Sequence, residues 1–168
     1  MSFSFITGDY NVQGSFNKYF QDNIDNNLPT WLTSVTVNFD YPNIPLVMPC
    51  FSVTHLPSRE LERFEGDRAD NGKGVRKKGM VEISGWVDST NSQNYTMYLR
   101  QMKDMIVKLF RENPAIPILN IYGGTTNPSS TGYILRVNDI NELPTNQDPN
   151  PAVKRVRVQI TYDWVERF

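Results

Sequence analysis

Two stretches of the chain repeat apolar residues with the 3.6-residue period of an α-helix. They predict helices over residues 12–27 and 91–113. The second is the stronger, because its apolar stripe continues from Tyr95 to Phe110. The stripe of the first helix consists of Phe16, Tyr19, Phe20 and Ile24. We expect both stripes to pack into a core, and Ser15 to cap the first helix.

Six further stretches have the composition or the two-residue alternation of β-strands. They cover residues 32–41, 50–56, 80–88, 116–122, 133–137 and 152–165. With the two helices, the order is α-β-β-β-α-β-β-β. This order predicts an α+β fold, in which a mostly antiparallel sheet of about six strands covers its apolar face with two α-helices. We expect residues 1–168 to form a single domain, since no repeat or linker interrupts them.

The connection between the second and third predicted strands is unusually long and charged. Residues 57–79 read PSRELERFEGDRADNGKGVRKKG, with seven basic and five acidic side chains, a net of 7 − 5 = +2. A connection of this length in a small domain usually has a function of its own. We therefore predict a projecting charged loop over residues 57–79. Its basic residues are Arg59, Arg63, Arg68, Lys73, Arg76, Lys77 and Lys78.

Composition narrows the classes of function. The 168 residues have a net charge of −1, so general attraction to nucleic acid or an anionic membrane is not expected. A single cysteine and a single histidine leave little scope for a disulfide framework, a zinc site or a Ser/His/Asp triad. We expect no secretory signal and no membrane span, and place the protein in the cytosol or in an assembly built there.

Catalytic and ligand-binding templates fit poorly. In the charged segment, Asp67 matches the first position of a calcium loop, but Ala69 stands at the third and Lys78 at the position of the bidentate glutamate. The glycines at 72 and 74 lack the Gly-Lys-Ser/Thr of a phosphate loop. Cys50 and His55, five residues apart on one strand, would face opposite sides of the sheet and form no dyad. We predict no enzyme activity, no cofactor and no metal.

Apolar residues near both ends of the chain favour assembly with other subunits. Phe3, Phe5, Ile6 and Tyr10 precede the first helix, and the last strand ends in TYDWVERF. We therefore add Trp164 and Phe168 to the loop cations as predicted assembly contacts.

The layout of elements resembles that of the tail terminators of tailed bacteriophages and the related small neck and tail-completion proteins. The resemblance lies in an N-terminal helix, two strands, a charged loop, the strand VRKKGMVEISGWVD, the helix SQNYTMYLRQMKDMIVKLFREN and the strand RVRVQITYDWVERF. It covers most of the chain but includes no invariant motif.

This resemblance implies a structural virion protein, assembled in the host cytoplasm. Its subunits would form a homo-oligomeric ring, commonly a hexamer in that family, that terminates the tail tube and joins it to the head. Its partners would be other copies of itself, the tail tube protein, a sheath if the tail is contractile, and the head–tail connector. DNA would pass through the lumen as cargo, and no membrane is involved.

Other classes stay open at this point. One is another neck or baseplate subunit, and a second is a module that binds nucleic acid or polysaccharide through the basic loop. A third is a hydrolase with Glu60 and Glu62 as an acid pair. Under the assembly hypothesis, Arg76, Lys77 and Lys78 meet an acidic surface on a neighbour, and reversing all three charges should abolish assembly while leaving the monomer folded.

Overall fold

The computed structural model describes residues 6–40, 47–64, 74–90, 94–121, 126–144 and 152–167. Its helices are α1 (Asp9–Ile24), extended by a 3₁₀ turn at Asp25–Asn27, and α2 (Tyr95–Glu112). The strands are β1 (Thr36–Phe39), β2 (Cys50–Phe64), β3 (Gly74–Asp88), β4 (Ala115–Leu119), β5 (Ser130–Leu143) and β6 (Val153–Arg167). The predicted order of elements and the α+β fold are confirmed.

One six-stranded sheet, in the order β1-β2-β3-β6-β5-β4, contains all the described strands. Only β1 and β2 run parallel, and the other neighbours are antiparallel. Strand β3 lies centrally and pairs with β6 over its whole length, from Gly74 opposite Arg167 to Asp88 opposite Val153. This long central pair determines where the charged segment lies.

Both helices pack on one face of the sheet, which we call the inner face. Phe16 of α1 stacks on Phe110 of α2, with ring centroids 5.0 Å apart, and on Tyr162 of β6 at 5.5 Å. The predicted stripes supply this core, since Phe16, Phe20, Met102, Ile106 and Phe110 are fully buried. Burying these side chains is the main source of stability for the fold. Neither described helix has the length and apolar character to cross a lipid bilayer.

Ser15 does not cap α1, contrary to the prediction. The N-cap is Gly8, and Ser15 lies buried within the helix. Its hydroxyl donates to the carbonyl of Asn11 and accepts from the backbone N–H of Leu119, 2.8 Å away. Asn11 likewise accepts from the N–H of Ile121. The two side chains therefore satisfy backbone donors at the end of β4, where a free strand edge would otherwise be exposed.

The opposite, outer face of the sheet is covered by no described helix. It carries polar pairs between neighbouring strands. Arg157 donates two hydrogen bonds to the carboxylate of Glu82, at 2.8 and 3.0 Å. Trp86 donates to Ser52, and its ring lies 5.0 Å from the guanidinium of Arg155. Such pairs are typical of a sheet face that is not part of an apolar core.

Candidate functional site

The charged segment is mostly strand. The prediction of a loop over residues 57–79 is wrong in extent, because β2 continues to Phe64 and β3 begins at Gly74. The extensions pair with each other, from Arg59 opposite Lys78 to Phe64 opposite Gly74. Strand β3 begins this early because it pairs with β6, whose alternating pattern continues to Arg167. We call residues 57–64 and 74–79 the arm.

Cations of the arm lie on opposite faces of β3. Val75, Val81 and Ile83 are buried on the inner face, and Lys77 shares their two-residue spacing. Arg76 and Lys78 therefore lie on the outer face. Consecutive basic residues hide this alternation in the sequence and therefore predict a loop.

Lys77 fixes the base of the arm to two other elements. Its Nζ lies 3.1 Å from a carboxylate oxygen of Asp9, at the start of α1, and 3.0 Å from one of Glu166, near the end of β6. Its side chain is 14% exposed and that of Glu166 is 12% exposed. Burial alone lowers the pKa of Lys77, but the hydrogen bonds to Glu166 and Asp9 outweigh it, and the pKa is raised. Lys77 is thus engaged within its own subunit, and the triple charge reversal would disturb the fold as well as any interface.

Arg76 lies at the edge of a cleft on the outer face. Its Nε donates to Asp163 Oδ2 at 3.0 Å, and its Nη2 contacts the same oxygen. This hydrogen bond raises the pKa of Arg76. The cleft measures about 400 Å³, and its lining includes Arg76, Tyr133, Ile134, Arg136, Asp163 and Val165.

The cleft forms because the sheet divides. Strand β5 pairs with β6 as far as Arg136 opposite Asp163. Beyond that point β5 pairs with β4, from Leu135 opposite Ile116, while β6 continues beside β3 alone. Among the described residues, no strand pairs with β6 on this side from Trp164 onward. Where β5 and β6 separate, a short edge of β6 is therefore exposed beside the guanidinium groups of Arg76 and Arg136.

Strand β2 has a second open edge along the arm. Strand β1 pairs with it only at residues 50–53, so residues 54–64 have β3 as their one strand partner within the described part of the chain. Arg59, Glu60, Leu61, Glu62 and Arg63 are all exposed along this edge. Arg63 and Glu60 form an exposed ion pair at 3.4 Å, which contributes little stability.

A register shift separates Glu60 from Glu62, which had been considered as a hydrolytic acid pair. Glu60 lies opposite Lys77 and Glu62 opposite Arg76, with Leu61 as the extra residue of a bulge. Since Lys77 and Arg76 occupy opposite faces, the two carboxylates also diverge. This arrangement gives no support to acid–base catalysis by the pair.

Trp164 is not an exposed assembly contact, contrary to the prediction. It is 3% exposed, its indole N–H donates to the carbonyl of Thr7, and Lys77 Nζ lies 5.5 Å from its ring. The even positions of β6 face inward, and this alternation buries Trp164 even near the strand end. The other predicted contacts Arg68, Lys73 and Phe168 lie outside the described residues.

Cys50 and His55 have the surroundings of core groups. Burial raises the pKa of the Cys50 thiol to about 11, which disfavours the nucleophilic thiolate. His55 Nε2 lies 2.7 Å from Asn17 Oδ1, and the Phe16 ring packs edge-on against the imidazole. Burial lowers the pKa of His55 to about 4, against the opposing charge of Asp40. Within the described residues, no group of three His, Cys, Asp or Glu side chains could hold a metal ion.

The sequence prediction missed Tyr133, Ile134, Arg136 and Asp163. The sequence did contain a signal that one of two residues is exposed. Tyr133 and Ile134 are consecutive apolar residues in a strand, so they point to opposite faces of the sheet and one of them must point away from the core. They are 40% and 39% exposed. Their meeting with Arg76 depends on the division of the sheet, which no local pattern encodes.

No protein-family model matches this chain, and no curated protein matches its sequence. Among solved structures, one chain aligns with 94% of this protein and 96% of its own length, at 13% sequence identity and a TM-score of 0.49. Its name states no activity, and a likeness at this level carries no argument about function.

Proposed function

We propose that this protein is a structural subunit of a bacteriophage virion. It forms a ring that terminates the tail tube and joins it to the head or neck. In this proposal the arm of each subunit contacts a neighbour. Support comes from the resemblance in element order and from the surfaces that the fold leaves open for other chains.

A single observation carries the assembly part of the proposal. Arg59 and Lys78 lie directly opposite each other on the arm, and neither forms an ion pair with another described residue. Like charges at opposite positions of a strand pair destabilise it. An acidic surface on a tail or neck protein would relieve that repulsion. The arm is therefore better suited to an assembled state than to an isolated subunit.

The same cations could bind phosphate groups, but the geometry favours assembly. Arg76 and Lys77 already contact carboxylates of their own chain. A nucleic-acid surface would instead direct its cations outward to meet successive phosphates. The open strand edge of β2 also suits a protein partner, because an added strand satisfies its backbone groups.

Ring formation can be tested on the purified protein. We expect native mass spectrometry and negative-stain imaging, at increasing protein concentration, to show closed rings with a central channel. Formation of a closed ring requires two different patches on each subunit, so intermediate open oligomers should also appear. A protein that stays monomeric at every concentration, or that forms only two-fold dimers, would contradict the proposal.

A further inference from the structure

Two open strand edges of this fold have complementary side chains, and they lie on different parts of the subunit. We propose that the exposed β2 edge of one copy, at residues 59–63, docks in the cleft between β5 and β6 of the next copy. This inference rests on the proposed function, since it identifies the two patches that the ring would use. The occupant of the cleft is thus a second copy of this chain.

Backbone geometry is the first argument. The β2 edge has no strand partner beyond Val53, and the β6 edge has none on the cleft side beyond Asp163, within the described residues. Each edge presents N–H and C=O groups that an added strand would satisfy. The β4 end of the sheet differs, because Pro117 interrupts β4 and Ser15 accepts from its last N–H. The β2 edge and the β6 edge at the cleft therefore both have backbone groups available for strand addition.

Side-chain chemistry gives the second argument. The centre of the docking edge is Leu61, which is 41% exposed and lies between Glu60 and Glu62; Arg59 and Arg63 flank these two acids, so the five residues have no net charge. The cleft has the opposite arrangement, with Tyr133 and Ile134 beside the guanidinium groups of Arg76 and Arg136. One carboxylate, Asp163, leaves the pair of cations with a net positive charge. Apolar contact at the centre and charge pairs around it are the usual composition of a stable interface.

The contact is heterologous, since an edge of one kind meets a cleft of another kind. A contact of this type leaves each subunit with a free edge and a free cleft, and repetition closes a ring when the rotation permits. It would also satisfy the backbone groups that have no strand partner on the two edges.

Cross-linking between single-cysteine variants tests the docking directly. Leu61→Cys protein is mixed with Ile134→Cys protein and treated with a short bismaleimide. The native Cys50 is buried, so untreated and wild-type samples give the background. A matched control replaces Leu61→Cys by Met97→Cys, because Met97 is similarly exposed, at 47%, but lies on α2. We expect about tenfold more cross-linked dimer from the 61–134 mixture than from the 97–134 mixture, because docking holds the two thiols at a high effective concentration.

Each outcome separates this inference from the proposed function. Rings without 61–134 cross-links would overturn the docking and leave the ring intact. Cross-links without rings would support the docking and contradict the ring. Cross-linked dimers of L61C alone would indicate a two-fold edge contact and overturn the docking. If neither rings nor cross-links form, both are contradicted.

Discussion

Lys77 differs from its neighbours Arg76 and Lys78 in having two carboxylate partners on the inner side of the sheet. It connects the arm with α1 through Asp9 and with the end of β6 through Glu166. Removing the ammonium would leave Glu166, which is 12% exposed, without this compensating charge. Breaking a largely buried ion pair in this way is strongly destabilising.

We expect Lys77→Met to lower the free energy of unfolding by about 2 kcal/mol, below the value for a fully buried pair because Asp9 is half exposed. Urea denaturation followed by tryptophan fluorescence measures the change. Lys78→Met is the matched control on the outer face, with an expected effect of about 0.5 kcal/mol or less. Equal losses in the two variants would contradict the anchoring role of Lys77.

His55 is the one histidine of the chain, so its titration can be followed without interference. Burial lowers its pKa to about 4, and Nδ1 has no hydrogen-bond partner among the described residues. The unfolded chain, with a pKa near 6.5, therefore binds the proton first as the pH falls. Neutral, buried His55 therefore makes its full contribution to the free energy of unfolding above about pH 6.5, and this contribution is lost progressively as the pH falls toward 4.

Wild-type protein should thus lose about 1–2 kcal/mol of stability between pH 7 and pH 5 that a His55→Gln variant does not lose. Urea denaturation of both proteins at the two pH values isolates the histidine contribution, because the carboxylates titrate alike in both. The imidazole resonance should titrate well below pH 6 in the native protein. Parallel pH dependences would show that His55 is not buried as described.

At the scale of elements, local patterns predicted the helices and strands whose apolar faces form the core. The helix stripes and the alternation of β6 were visible because each repeats over many residues. Strand ends were less predictable, as β5 shows: it runs from Ser130 to Leu143, whereas the alternation indicated residues 133–137. Most of its additional residues are exposed, so its length depends on pairing with β4 and β6 rather than on burial.

The arm illustrates a second limit of local prediction. Gly79 was the expected end of the loop, yet it lies within β3 opposite Tyr162. A Cβ atom at this position would come within 2.5 Å of the Tyr162 ring, so the glycine makes room for a fully buried aromatic side chain. A glycine that marks a turn in the sequence can therefore be a packing requirement in a strand. The distinction needs the partner strand, which lies about eighty residues away in the chain.

For the whole molecule, the sequence predicts an assembly surface, and the structure removes some of the residues assigned to it. Arg59, Arg63, Arg76 and Lys78 remain candidates on the arm, while Trp164 belongs to the core and Lys77 to the internal ion pairs. Charge and exposure can be predicted from individual residues in the sequence. The cleft cannot be predicted in this way, because it forms from β3, β5 and β6 at the point where the sheet divides.

Charge reversal at this cleft gives the prediction that belongs to the assembled molecule. In the proposed ring, Arg136→Glu would place a like charge against Glu60 of the next copy. Such juxtapositions cost several kcal/mol, so we expect the association constant to fall by about tenfold or more. Sedimentation over a range of protein and salt concentrations measures it, and wild-type rings should also weaken as salt increases.

Arg111→Glu is the control, because Arg111 is an exposed arginine near the end of α2, away from the cleft. A double variant that combines Arg136→Glu with Glu60→Arg should recover part of the lost association, since it restores an opposite pair across the contact while leaving each subunit folded. The Arg111→Glu control separates a direct contact from a general effect of net charge, because Arg136→Glu and Arg111→Glu both change the charge by −2 while the double variant returns it to that of the wild type. Equal losses from Arg136→Glu and Arg111→Glu, with no recovery in the double variant, would show that the cleft takes no part in assembly.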